Sequence, residues 1–532
     1  MFTLFRKVRG ADKSPEKDGG AGRLAAALGG LGARFGPREF VLVLCVLYML
    51  VFSALTIERH EVYSSARFDL GNMDQAVWNT TEGRILEVTG DNGENRSRLI
   101  NHTDFFLLAY VPLYMIYASP YWLLVSQAVI VGLGALPLYW LSARFLGRGW
   151  PAALIAGAYL FSPGLQSANT FDFHSQTLAP TFLLFAFHYL LERRLLPFVV
   201  FAALASFCKE EISLLVAMMG LYVVFVERRP RWGVPVFLAG VGYFAFVMGV
   251  LIPAFNEGTP SGLVEERYGA VGGSVGGVLA TALTDPLSIV QHALSGQRPV
   301  YLLSLLGMGG MLGLLSPGIL MIALPEVAVN LLSERRQMIS IFYHYSAPIW
   351  PFVYLASAAG IANVVRFVGW LSRRRGRSGE RSGDLARALP LFLASWVFVF
   401  GVYLDLIYGP IPIAQFYEEN PVVMRSLEDD FVRNVDEAVA LVPDDPEVRV
   451  SASNWIAPHL AHRETLYLFP VTDGPQGPAD YVVVDLARAS YYTDVRRPRA
   501  QAALERVQND PRYSLIFAEP NVAVFRLDEA SG

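Results

Sequence analysis

The stretch FVLVLCVLYMLVFSALTI at residues 40–57 runs without a single charge and ends abruptly at Glu58-Arg59-His60-Glu61. A helix of that length, at about 1.5 Å per residue, crosses most of a bilayer's roughly 30 Å apolar core. Residues 1–39 precede it with eight Lys/Arg and several glycines, and read as a disordered basic cytoplasmic tail. That tail is longer than the basic start of a signal peptide, and no small-x-small cleavage site closes the run, so the reading is an uncleaved first helix.

The whole chain supports a membrane setting. Of its 532 residues 53% are hydrophobic and 17% are charged, against about a quarter charged in soluble domains; mean hydropathy is +0.37. A soluble chain could not cover so much apolar surface. A net charge of −4 excludes a generally basic nucleic-acid binder. Cys45 and Cys208 lie in separate apolar runs and support neither a disulfide framework nor a zinc site.

Further apolar runs lie near 121–143, 150–167, 177–191, 195–207, 212–226, 233–254, 300–316, 317–333, 347–370 and 388–408. The expectation is a mainly α, polytopic helix bundle of about eleven spans. Arg144 and Arg148, Arg193 and Arg194, Arg228, Arg229 and Arg231, and the group Arg373, Arg374, Arg375 and Arg377 then fall on the cytoplasmic side. Segments 58–120, 168–176, 208–211, 255–299, 334–346 and the C-terminus fall outside. Arg335 and Arg336 also land outside, against the rule. Joining 300–333 into one span would rescue them but export the larger arginine group; Ser316-Pro317-Gly318 favours a hairpin. Within loop 58–120, Phe68–Trp78 is amphipathic, and Phe105–Tyr117 is an apolar run too short to span that suits the outer interface. No internal repeat of the transporter kind is visible.

After Pro410-Ile411-Pro412 charge returns, and residues 411–532 read as a small external α/β domain. Met424–Leu441 and 497–509 read as helices, and Val448–Ser451, Tyr481–Asp485, Tyr513–Phe517 and Val522–Leu527 as strands. No glycine-rich phosphate loop is present, so the domain is not expected to hold a nucleotide.

Ionisable side chains at a membrane rim are costly and point to function. They concentrate on the outer side: Asp69 and Asp74, His102 and Asp104, Asp172 and His174, Lys209-Glu210-Glu211, Arg335 and Arg336, and His344. Each has a plain structural reading. Asp69 and Asp74, five apart, do not share a helix face, and one of them is then only solvated. Asp172 and His174 suit helix ends, and Lys209-Glu210-Glu211 suits a snorkelling flank. Their joint gathering favours transfer chemistry at the outer surface. A carboxylate takes a proton from an acceptor hydroxyl while cations hold a leaving phosphate. An activated sugar outside the cell would arrive on a lipid.

The run Phe68-Asp69-Leu70-Gly71-Asn72-Met73-Asp74-Gln75-Ala76-Val77-Trp78-Asn79, with Asn101-His102-Thr103-Asp104 and Pro112-Leu113-Tyr114, resembles an uncharacterised family of bacterial and archaeal multi-spanning membrane proteins. Asp172-Phe173-His174, Lys209-Glu210, His344-Tyr345-Ser346-Ala347-Pro348-Ile349 and Ala457-Pro458-His459-Leu460-Ala461-His462-Arg463 extend the match over roughly residues 40–530. That family is similar to the GT-C glycosyltransferase superfamily, integral membrane enzymes that use polyprenyl-phosphate-linked sugars. The resemblance implies a GT-C-like domain over 40–410 and inverting transfer to a glycan, lipid or protein acceptor. It also implies an acid in the first external loop as base or metal-associated group. Asp69 matches that position, with Asp74 second. Many members carry a tighter acidic pair, so a divalent metal is possible but not required.

His102, Asp104, Asp172, His174, Lys209 and Glu210 would then position donor and acceptor. Lys209, Arg335, Arg336 and His344 would hold the phosphate, and His459, His462 and Arg463 would turn the external domain towards the site. A transporter or lipid flippase, or a non-catalytic receptor or scaffold, remains the alternative.

Overall fold

The computed structural model describes residues 35–259, 261–375, 380–419, 429–487 and 497–528. Most of the basic N-terminal tail, Arg377 and the start of the helix expected at 424–441 lie outside the described residues.

Five helices among the described residues are long and apolar enough to cross a membrane: Pro37–Glu61, Tyr121–Leu146, Pro230–Phe255, His344–Arg374 and Ala388–Tyr408. The first exposes Leu42, Val46, Leu47 and Leu50 along one side and buries Val41, Cys45, Tyr48 and Phe52 on the other. That is the pattern of a helix set against a bundle with lipid outside. Trp150–Leu160, Ser175–Leu191, Leu195–Ser206 and Ile212–Phe225 occupy other runs expected to span, with 11, 17, 12 and 14 residues.

Two regions depart from expectation. Residues 300–333 are not two clean spans. Helix Arg298–Met308 stops where Gly310 and Met311 turn into the left-handed region, at φ 65° and 61°. Short turns then lead to Leu324–Leu332. Segment 255–299, expected as a plain external loop, is largely helical. Gly262–Thr284 and Pro286–Ala293 together pass the same length and apolarity test, bent by 108°, with Leu279, Leu283, Leu287 and Val290 exposed. Interspersed glycines and serines had masked that apolar run.

Close helix packing comes from small residues. A Cβ added at Gly220 would lie 2.6 Å from the Gly233 carbonyl oxygen, and one at Gly240 would lie 2.5 Å from that of Ser213. Helices Ile212–Phe225 and Pro230–Phe246 therefore approach backbone to backbone.

The C-terminal region forms a five-stranded sheet in the order Leu466–Leu468, Val450–Ala452, Tyr481–Asp485, Val522–Leu527, Tyr513–Glu519. The first three strands are parallel and the last two join antiparallel. Alternation along the strands sends Val483 and Val524 to a core with Phe431 and Val435 of helix Asp429–Ala440. Val482, Val484 and Phe525 point the other way, to Ala500, Ala503 and Val507 of helix Arg497–Asn509.

Between this sheet and the bundle lies the ordered loop that follows the first helix. Tyr63 is buried in the sheet's own core and its hydroxyl donates to Asp436 at 2.6 Å. Arg67 N–H donates to the Asn454 side-chain and main-chain oxygens at 3.0 and 2.8 Å. Gln75 donates to the Arg463 carbonyl at 3.1 Å, and Leu466 N–H donates to Thr89 at 2.9 Å.

Gly233→Leu should destabilise the protein by about 1–3 kcal/mol through overpacking. Gly242→Leu, with no atom within 4 Å of the added Cβ, should leave the melting temperature of the purified protein unchanged. Equal melting of both variants would overturn the close-packed crossing.

Candidate active site

Asp69 sits in a wide π-helical turn, Arg67–Gly71, directly before helix Asn72–Thr81. Such turns re-aim side chains and recur at functional positions. Its carboxylate meets His174 Nε2 at 2.9 Å and keeps 20% of its side-chain surface exposed. The other ring nitrogen of His174, Nδ1, lies 3.1 Å from the Phe171 carbonyl oxygen. A carbonyl only accepts, so Nδ1 carries hydrogen there. A proton then sits between Nε2 and Asp69, as imidazolium and carboxylate or as carboxylic acid and neutral ring. His344 stacks on His174 with ring centres 3.6 Å apart and planes 15° apart. Phe171 stacks on His174 as well, at 5.5 Å, so the imidazole plane is fixed.

The turn that carries His174 is held from beneath. Asp172 adopts φ 47°, a left-handed backbone that aspartate tolerates better than most residues. It receives Ala66 N–H at 2.7 Å and Arg59 Nε at 3.3 Å. Burial pushes its carboxyl up to about 6, Asp69 pushes the same way, and Arg59 pulls against both. Gln127 donates to the Asn169 and Asp172 carbonyls at 2.9 and 2.7 Å and accepts from His174 N–H at 2.9 Å. His174 is at the helix N-terminus but makes no side-chain cap. The helix-end reading therefore fails for its ring.

Lys209, Glu210 and Glu211 are not a solvated flank: they are 7%, 8% and 6% exposed. Lys209 Nζ lies 2.7 Å from Glu211, 3.2 Å from Gln176 Oε1 and 5.6 Å from the ring centre of Tyr345. Gln176 in turn donates to Glu326 at 2.7 Å. Burial disfavours the ammonium, yet Glu211 and Glu210 hold it above its usual range. Burial would raise Glu210 too, but His102 and Lys209 bring it down to about 2. His102 Nδ1 contacts it at 2.9 Å and Thr103 N–H donates to it at 3.2 Å. Asp104 is paired to Arg98, which also grips Asn72.

Asp74 is placed differently. It is 1% exposed, not solvated as the spacing with Asp69 allowed, and it accepts from Tyr114 at 2.7 Å and His462 Nε2 at 3.0 Å. The acid therefore joins loop, interface helix and C-terminal sheet domain. His459 stacks face to face on His60, centres 4.1 Å apart, and its Nε2–H donates to the His60 carbonyl at 3.0 Å. Arg463 donates to the Leu460 and Val448 carbonyls at 2.7 and 3.1 Å, a local structural duty.

Arg335 pairs with Glu266 at 2.9 Å on an exposed surface, and Arg336 is exposed. Sequence reasoning missed Arg267. It stands between Glu266 and Tyr268 on helix Gly262–Tyr268, close enough to act on Lys209, and its Nε is buried without a hydrogen bond. Two acidic neighbours made it look like part of a solvated face. Among the described residues no three His, Cys, Asp or Glu side chains converge as a metal site.

A family model described as "Predicted membrane protein (DUF2079)" matches residues 59–524. The chain belongs to that family. It bears out the resemblance to multi-spanning membrane proteins drawn from the motifs around Asp69, His102 and His174. No curated protein matches the chain. Solved structures similar to it include ArnT from Cupriavidus metallidurans bound to undecaprenyl phosphate, at 12% identity and TM-score 0.49, covering 92% of this chain and 98% of that one. The apo form of ArnT follows at 13% identity and TM-score 0.46, covering 90% and 98%. Similarity at that distance carries no argument about activity.

The docking histidines give the DUF2079 chain a pH signature. Burial opposes charge on His462, but Asp74 raises it above the usual 6.5. Its contribution to stability is complete below 6.5 and is lost as pH rises through that raised value. Burial depresses His459 to about 4 against the pull of the His60 carbonyl, so stability is lost as pH falls from 6.5 towards 4. Melting followed over roughly pH 4 to 8 should peak near neutrality. His462→Gln should flatten the upper limb and His459→Gln the lower one. Unchanged limbs in both variants would refute these assignments.

Proposed function

We propose that this protein is a membrane glycosyltransferase of the GT-C type. It moves a sugar, with inversion, from a polyprenyl-phosphate carrier to a glycan, lipid or protein acceptor. The reaction takes place at the external membrane face, with the N-terminus cytoplasmic and the sheet domain outside. The observation that carries this reading is the Asp69–His174 pair. It is a carboxylate on a distorted turn, partly exposed and oriented by a stacked, hydrogen-bonded imidazole.

Asp69 takes the proton of the acceptor hydroxyl as that oxygen attacks the sugar's anomeric carbon. The bond to the carrier phosphate breaks, and the phosphate leaves with its electron pair. His174 orients Asp69. Lys209, already balanced by Glu211, orders the site and is a weaker candidate for the phosphate than its charge suggests. Arg267 and Arg336 are the better ones, with Arg335 released from its exposed bond to Glu266, because guanidinium groups bind phosphate in a forked geometry. His102, Asp104, Glu210 and His344 shape the wall around them. Asp74 holds the acceptor-side domain in place and takes no proton.

One observation weighs against the scaffold reading. Keeping Lys209, Glu210 and Glu211 out of water costs several kcal/mol per ion before pairing, an expense a passive scaffold does not require.

The test uses protein in lipid nanodiscs offered a panel of polyprenyl-phosphate sugars, following loss of sugar from the carrier. Asp69→Asn should lower turnover by about 10²–10⁴-fold, and His174→Gln by less. Arg267→Ala should raise the donor KM more than it lowers kcat. Full turnover in Asp69→Asn, or wild-type protein that neither turns over nor binds any donor, would overturn the assignment.

A further inference from the structure

A second polar cluster lies inside the bundle, apart from the Asp69 site. Asp405, on the last long helix, is 1% exposed. Its Oδ2 accepts from Gln166 Nε2 at 3.0 Å, and the same amide donates to the Leu160 carbonyl at 2.9 Å. Both amide hydrogens are thus spent, which fixes the orientation of Gln166 and leaves Oε1 on the other side. Tyr48 is hydrogen-bonded to Asn169 here, and Tyr354 to Ser162. Each is at most 5% exposed. Among the described residues, Asp405 Oδ1 and Gln166 Oε1 have no hydrogen-bond partner.

A carboxylate buried without a positive partner is costly. Among the described residues no arginine, lysine or histidine is paired with Asp405, so its charge calls for something brought from outside. The donor set is all oxygen, which suits a hard cation. One carboxylate among neutral oxygens is balanced by a single positive charge; a divalent ion would leave one uncompensated in an apolar interior. A proton on Asp405 would also neutralise it, but would engage only one of these oxygens.

We propose that this cluster binds one monovalent alkali cation, with Asp405 as the charged ligand and Gln166, Asn169 and the neighbouring hydroxyls as neutral ones. The ion braces four helices at once: Pro37–Glu61 through Tyr48, Pro163–Thr170 through Gln166 and Asn169, and the two long C-terminal helices through Tyr354 and Asp405. Helix Pro163–Thr170 runs directly into the Asp172–His174 turn, so occupancy stiffens the support of the candidate active site.

The experiment is equilibrium binding of radioactive sodium to the full-length protein in nanodiscs, read without any transferase assay and so independent of the function proposed above. The expected result is saturable binding, close to one ion per chain and competed by unlabelled sodium but not by choline. It should weaken at least about tenfold in Asp405→Asn. Gln166→Leu is the second variant, to be read if Asp405→Asn does not fold, and should weaken binding in the same direction. Saturable binding that neither variant alters places the ion elsewhere and overturns the proposal. No specific binding to the wild type overturns it as well, in favour of a protonated Asp405.

Discussion

The candidate site depends on one buried carboxylate, Asp172. It collects Arg59 from the end of the first long helix and the Ala66 N–H from the start of the loop, while its own backbone occupies the left-handed region. That single residue fixes three segments against one another: the helix end, the turn that carries His174, and the loop that delivers Asp69. Were the Asp172 anchor lost, the 2.9 Å contact between Asp69 and His174 would depend on two segments joined by nothing else so direct. Burial explains why the anchor is strong and sensitive. Its charge is poorly solvated, so the carboxyl holds its partners firmly and titrates near 6.

A second constraint acts from above. The loop after the first helix is buried in the bundle's core through Leu70, Val77, Leu86 and Leu107, and the sheet domain closes on its other side. Asp74 does this through Tyr114 on one side and His462 on the other, the latter 388 positions away in the chain. Two acids five residues apart thus acquire opposite duties. The one in the π-helical turn stays reachable, while the one in the following helix is sealed and satisfied. Hydrogen bonds from a tyrosine and a histidine make Asp74 a good fastening between loop and sheet domain.

Much of this was legible before any coordinates. The apolar run at 40–57, the change of composition after Pro412, the strands at 481–485 and 522–527 and the helix at 497–509 follow from period and length alone, because each buries one face or two along its whole extent. Three-residue strands such as Leu466–Leu468 are too short to carry a period, and their pairing with Val450–Ala452 is a tertiary fact. The gathering of Asp69, His174, His344 and Lys209 was visible only as a list of rim residues; contacts such as Asp69–His174 span 105 positions. Arg267 was hidden by its neighbours. Glu265 and Glu266 gave the segment the look of a solvated helix, and only the fold turns the arginine inward.

The charge arrangement at the site separates order from binding. Lys209, Glu210, Glu211 and His102 form a closed set, with Lys209 paired to Glu211 and His102 in contact with Glu210. A closed set resists water and holds shape, but it has little left to offer a phosphate, because any new ligand would have to break a buried pair. The arginines are the reverse case. Arg335 has an exposed pair with Glu266 to give up, which solvent has already weakened, beside a neutral contact with Tyr345. Arg336 is exposed, and Arg267 keeps a buried Nε unbonded. In the proposed reaction an anion arriving at this rim would find its counter-charges on the segments 262–268 and 334–336, while the proposed base stands in the turn Arg67–Gly71. With the proposed base and the proposed anion holders on different segments, each can be tuned without cancelling the other.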